Sequence, residues 1–111
     1  MREQSKDPWR IKHILDCIDR IQRYTAELSF QEFVDDDRTY YAVVKNIEII
    51  GEAANMLTIE LRERNADIPW KAICGMRNYI VHEYFAVDAE VVWNVVSEDI
   101  PRLKESLSKL K

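Results

Sequence analysis

The strongest constraint on this chain is an apolar repeat. From Arg38 to Arg64 no proline occurs, and Tyr40, Val43, Val44, Ile47, Ile50, Ala54, Leu57 and Leu61 recur at three- and four-residue steps. That spacing places side chains on one face of an α-helix. The longest helix is therefore expected here. Its start is expected near Asp37, where the carboxylates of Asp35, Asp36 and Asp37 meet the partial positive charge of a helix N-terminus. Ile49, Ala53 and Met56 widen the stripe beyond one seam and call for a second packing partner, of which a second copy of the chain is the simplest. Gly51 costs about 1 kcal/mol relative to Ala inside a helix, a cost best understood if another backbone packs close to it.

The remaining segments follow the same period. Ile11, Ile14, Leu15, Ile18, Ile21 and Leu28 predict a helix from about Trp9 to Leu28, and Ser29 with Glu32 has capping-box spacing for a short helix or single turn. Asn65 to Ile68 breaks the pattern, and Pro69 suits the first position of a new helix carrying Ile73, Met76 and Ile80. Glu83 to Phe85 and Val87-Asp88 suggest an end or kink, with Asp88 capping a last helix that carries Val92, Val96, Ile100, Leu103 and Leu107. Pro101 inside it should bend or divide it near Asp99. With only 2 Gly and 3 Pro in 111 residues and no credible strand, the expectation is all-α. It takes the form of one domain over residues 1–111, an antiparallel up-and-down bundle of four main helices, four to five in all.

Composition excludes several classes of function. A formal net charge of -4 is the opposite of a general nucleic-acid binder's footprint, so any contact with nucleic acid is local. No apolar run approaches the ~20 residues of a bilayer span, and Met1 to Arg10 has no apolar signal core, which makes the cytoplasm the default location. The first helix mixes both charge signs on its polar face, which argues against membrane association. Cys17 and Cys74 read as free buried thiols. His13 and Cys17 share a helix face without a third ligand, so neither a metal nor a cofactor is expected.

One polar cluster stands out on an otherwise apolar helix: Arg77-Asn78-Tyr79-Ile80-Val81-His82-Glu83-Tyr84. It suits RNA phosphodiester cleavage by the 2′-hydroxyl, which needs no metal. An imidazole with an ordinary pKa of ~6.5 moves protons at neutral pH. The planar guanidinium of Arg77 can hold a phosphate bidentately and stabilise its transition-state charge, and Asn78 can orient either group. Asn78 and His82 share a face at i,i+4, whereas Arg77 and His82 point about 140° apart on an ideal helix. Either the helix distorts between them, or two subunits complete one site at a two-fold axis, the arrangement favoured here. The structural alternative is that such residues form a buried ion pair and a satisfied core histidine. Glu52 could pair with Arg77 across a helix contact in a purely structural role. Tyr84 by its chemistry alone is a packing residue, and Trp70 and Trp93 read as core or interface anchors.

Arg77, His82 and Tyr84 fit the pattern R-x4-H-x-Y, and with Ile50-Gly51-Glu52-Ala53-Ala54 and Ile68-Pro69-Trp70 the chain resembles the HepT-like branch of the HEPN superfamily over nearly its whole length. The resemblance implies a homodimeric helical bundle with the motif helices of both subunits lining one cleft. It further implies a metal-independent endoribonuclease acting as the toxin of a type VII toxin-antitoxin pair. Arg77 and His82 would be its catalytic pair, with Asn78 assisting. A minimal nucleotidyltransferase of the MNT type would be the antitoxin, neutralising the toxin by complex formation or by transferring AMP to Tyr84. Charge and bulk there would repel and obstruct an RNA backbone. The competing expectation is a non-catalytic helical adaptor that binds a nucleotidyltransferase partner or nucleotide, which would not need the polar cluster.

Overall fold

Helix formation follows the apolar repeat closely, and capping residues set most of the boundaries. The computed structural model describes residues 6–83 and 87–110. Its helices are α1 (Asp7–Thr25), α2 (Phe30–Asp35), α3 (Asp37–Asn55), α4 (Ile59–Arg64), α5 (Trp70–His82), α6 (Ala89–Asn94) and α7 (Ile100–Ser108), with a π-helical turn, Val95–Asp99, joining the last two. Among the described residues there is no strand. The four main rods are α1, α3, α5 and the continuous α6–π–α7. Short α2 and α4 add to them, so the helices outnumber the expected four to five.

The capping box at Ser29 is complete. The Ser29 hydroxyl accepts from Glu32 N–H at 3.1 Å while Glu32 Oε1 accepts from Ser29 N–H at 2.8 Å. Asp36 is the member of the aspartate triplet that caps α3, accepting from Thr39 N–H at 3.1 Å and from its hydroxyl at 2.7 Å. Asp88 caps α6 by accepting from Glu90 N–H at 2.8 Å.

Two expected boundaries are corrected. The long helix stops at Asn55 rather than running to Arg64, because Thr58 leaves helical geometry to cap α4 through Leu61 N–H at 3.2 Å. The first turn of α1 secures that break. Asp7, only 5% exposed, accepts from both the N–H and the hydroxyl of Thr58, and Arg10 Nη1 donates to the Met56 carbonyl at 2.8 Å. The first helix in turn ends at Thr25, short of Leu28, where Glu27 turns the chain in the left-handed region at φ 65°. Pro101 acts as expected. It has no N–H to offer the preceding turn, and the ladder widens to a π-turn in which Ile100 N–H donates to the Val95 carbonyl.

The rods run antiparallel. The start of α1 meets the end of α3 at the Asp7–Thr58 contact, Leu110 just past α7 lines one groove with Pro8 and Ile11 at the start of α1, and Tyr40 near the start of α3 donates to the Val87 carbonyl beyond α5 at 3.3 Å. One cluster of buried side chains lies between them, including Ile14, Ile18, Phe33, Ile47, Ile50, Ile80 and Ile100. Trp70 is buried and donates its indole N–H to the Asn65 carbonyl at 3.1 Å, and Trp93 packs on Phe33 with ring centroids 5.0 Å apart. α3 packs on both α1 and α5. Ile49 and Ala53 pack against the core, while Met56 stays 57% exposed.

Candidate active site

The crossing of α3 and α5 positions the polar cluster. A Cβ at Gly51 would lie 2.3 Å from Arg77 Cβ and 3.3 Å from Arg77 Cα, so the missing side chain lets the two helices touch at that level. Arg77 is thereby fixed at its stem. Its head reaches a cleft of about 590 Å³ lined by Gly51, Glu52, Asn55 and Met56 on one side and by Cys74, Arg77 and Asn78 on the other.

The guanidinium is loosely satisfied. Nη2 lies 3.6 Å from Glu52 Oε1, with the two side chains 37% and 51% exposed, and Nη1 donates to Asn78 Oδ1 at 3.3 Å. Nε is buried with no hydrogen-bond partner. The Glu52 pair anticipated from the sequence is present, but at this exposure and distance it contributes little stability. Such a guanidinium is a cation able to exchange weak contacts for a phosphate. Cys74 stands half-buried at the cleft wall, and burial pushes its thiol pKa up, opposed by the charge of Arg62. At neutral pH it is an uncharged thiol. Cys17 is buried in the core, as expected.

His82 is the last residue of α5 and is exposed. Because α5 is α-helical without interruption from Trp70 to His82, the helix distortion that would turn Arg77 toward His82 does not occur. Cys74, Asn78 and His82 follow one another at four-residue steps along one strip of α5, with Arg77 at its margin. No hydrogen bond joins Asn78 to His82 among the described residues. Arg77 and Asn78 are therefore brought together at the cleft, while His82 stands a turn beyond them. Tyr84 lies outside the described residues. The sequence reading missed Asn55, Met56 and Cys74 as neighbours of Arg77. No local motif marks them: Asn55 and Met56 are brought there only by the α3–α5 crossing, while Cys74 stands three residues before Arg77 on α5. Among the described residues no group of three or more His, Cys, Asp or Glu could hold a metal ion, and no helix is long and apolar enough to cross a membrane.

The helical bundle presents an arginine, an amide and an imidazole on one helix beside an open cleft, and comparison with known proteins gives its class. Residues 14–110 match the ribonuclease HepT-like family, and the chain belongs to that family of nucleases. It is 37% identical over 111 residues to a protein of Thermococcus cleftensis named as a probable ribonuclease HepT, covering 100% of this chain and 99% of that one. A protein of Caldanaerobacter subterraneus subsp. tengcongensis, provisionally named an RNase, is 39% identical over 101 residues, 90% of this chain and 89% of its own. Another with the same provisional naming, from Methanocaldococcus jannaschii, is 34% identical over 94 residues, 85% of this chain and 86% of its own. No solved structure matches the chain significantly.

Proposed function

We propose that this protein is a metal-independent endoribonuclease whose site is built from Arg77, Asn78 and His82. The carrying observation is the half-exposed, loosely held guanidinium of Arg77 at the edge of a cleft, on the same helix as an exposed imidazole. Arg77 grips the scissile phosphate and stabilises the charge on its non-bridging oxygens, and Asn78 orients the guanidinium. The 2′-hydroxyl of the RNA attacks its own phosphorus and the bond to the 5′-oxygen breaks, leaving a cyclic phosphate and a 5′-hydroxyl. His82 moves a proton in this exchange, either from the attacking or to the departing oxygen.

The uninterrupted α5 supports a homodimer in which Arg77 of one subunit works with His82 of the other. The biological role that fits is the cytoplasmic toxin of a type VII pair, held in check by an MNT-type nucleotidyltransferase through complex formation or AMP transfer to Tyr84.

The test is cleavage of total cellular RNA in excess EDTA by the wild type and by His82→Ala. Cleavage by the wild type alone supports the reading. Equal cleavage by both removes His82 from the site, and no cleavage by unmodified protein favours the adaptor reading. Mixing Arg77→Ala with His82→Ala then tests the composite site. Random exchange makes half the dimers mixed, each with one intact site of two, so roughly a quarter of wild-type activity returns. A site contained within one subunit regains none.

A further inference from the structure

The cleft continues past Arg77 on the side away from His82, and its chemistry changes there. Along α5, Cys74 lies about 4.5 Å of helix rise before Arg77, and His82 about 7.5 Å after it. Cys74 and, across the helix crossing, Asn55 and Met56 adjoin Arg77 in the same cleft, so a nucleotide next to a phosphate gripped at Arg77 has room to enter there. That end is walled by Asn55, Met56 and Cys74. Arg77 is the one cation among the described lining residues, and Glu52 already faces it. The remaining lining is amide, thioether and neutral thiol. Such a lining suits an uncharged heterocycle, with the cations Arg10 and Arg62 standing outside it, at Met56 and near Cys74. Asn55 is an exposed amide offering a donor and an acceptor in one plane, the geometry that pairs with a base edge, whereas the Asn78 amide oxygen accepts from Arg77. Met56 is 57% exposed at the mouth, and its backbone is anchored by Arg10. A polarisable thioether held there can lie against an aromatic ring. The volume of about 590 Å³ is within the usual range for small-molecule sites.

We propose that this cleft is a nucleotide subsite, which takes the base and sugar next to the phosphate held by Arg77, with Asn55 reading the base edge and Met56 packing on the base face. The inference rests on the ribonuclease reading for the phosphate placed at Arg77. It assigns Asn55 and Met56 to substrate selection, outside the Arg77 and His82 chemistry.

The experiment measures fluorescence anisotropy of short 2′-O-methyl RNA oligonucleotides that vary one base at a time. Blocking the 2′-oxygen prevents cleavage, so binding is read whether or not the protein cuts. Wild type is expected to discriminate among bases at one position. Asn55→Ala should bring the four bases to similar affinity, weakening the preferred one about tenfold, while Met56→Ala should weaken all four alike. Both residues are exposed at the end of α3, and an unchanged circular dichroism spectrum confirms the fold. Wild-type affinity and preference in both variants would overturn the subsite, as would absence of oligonucleotide binding by the wild type. Loss of base preference with no RNA cleavage by the wild type would keep the subsite and reject the ribonuclease reading.

Discussion

Replacing Gly51 with Ala should destabilise the protein, although helix propensity alone predicts the reverse. Ala is favoured over Gly inside a helix by about 1 kcal/mol. The added Cβ, however, would lie 2.3 Å from Arg77 Cβ, 3.2 Å from its Cγ and 3.3 Å from its Cα. Carbon atoms rest at about 3.5–4.0 Å, so α3 and α5 must part locally by more than about 1 Å. Neither Cβ can swing aside, since each is fixed to a helix backbone. Overpacking of this kind costs about 1–3 kcal/mol. Taking the upper end, and subtracting the propensity gain, leaves a net loss of about 2 kcal/mol, or a fall in Tm of roughly 8 °C for a domain of this size. Gly75→Ala is the matched control. Nothing lies within 4 Å of a Cβ at Gly75, so only the propensity gain of about 0.5–1 kcal/mol applies. Urea unfolding followed by circular dichroism, at one protein concentration for all variants, reads both changes. If the two substitutions shift the midpoint in the same direction, close approach is not the reason for a glycine at position 51.

Asp7→Ala should cost about 1–3 kcal/mol in the same assay, because it strips the Thr58 N–H and hydroxyl of a buried acceptor. Glu52→Gln should change stability by less than about 0.5 kcal/mol, and a larger loss would mark the Arg77 pair as structural. Asp36 is held below the usual carboxylate range by the Thr39 hydroxyl and then the Thr39 N–H, and Glu32 by the N–H and then the hydroxyl of Ser29. Each therefore adds stability above its unfolded pKa that is lost as pH falls through the lower folded one. Asp36→Asn should accordingly flatten the acid limb of a Tm-against-pH curve, and an unchanged limb would refute this.

The residues legible from sequence are those whose partners are local or whose oddity demands a partner. Ser29, Asp36 and Asp88 cap within three residues of themselves, and Pro101 disrupts its own helix. Gly51 was legible because glycine in a helix interior needs a reason, although its partner Arg77 could not be read from spacing. The break at Thr58 was hidden for the opposite reason. Leu57 and Leu61 continue the apolar period across it, and what ends α3 is a carboxylate in the first turn of α1, remote in sequence. The cleft beside Arg77 was illegible on the same grounds, since Asn55 and Cys74 become neighbours only through the crossing.

Arg77 belongs both to the helix crossing and to the proposed site, and the two parts of its side chain can be tested separately. Its Cβ forms the crossing with Gly51, and its guanidinium serves the cleft. Arg77→Ala keeps the Cβ, so it should abolish RNA cleavage while leaving the helix crossing in place. Arg77→Gly removes the atom that the methyl group introduced by Gly51→Ala would strike. In a double-mutant cycle, Gly51→Ala with Arg77→Gly should therefore relieve the overpacking of about 3 kcal/mol, less about 1 kcal/mol for a new helix glycine, and so return to roughly wild-type stability. Cleavage should stay absent in every variant that lacks the Arg77 guanidinium. Additive losses with no recovery would show that α3 and α5 respond to Gly51→Ala by some route other than the Arg77 stem, and the close crossing would then no longer explain how the guanidinium is placed.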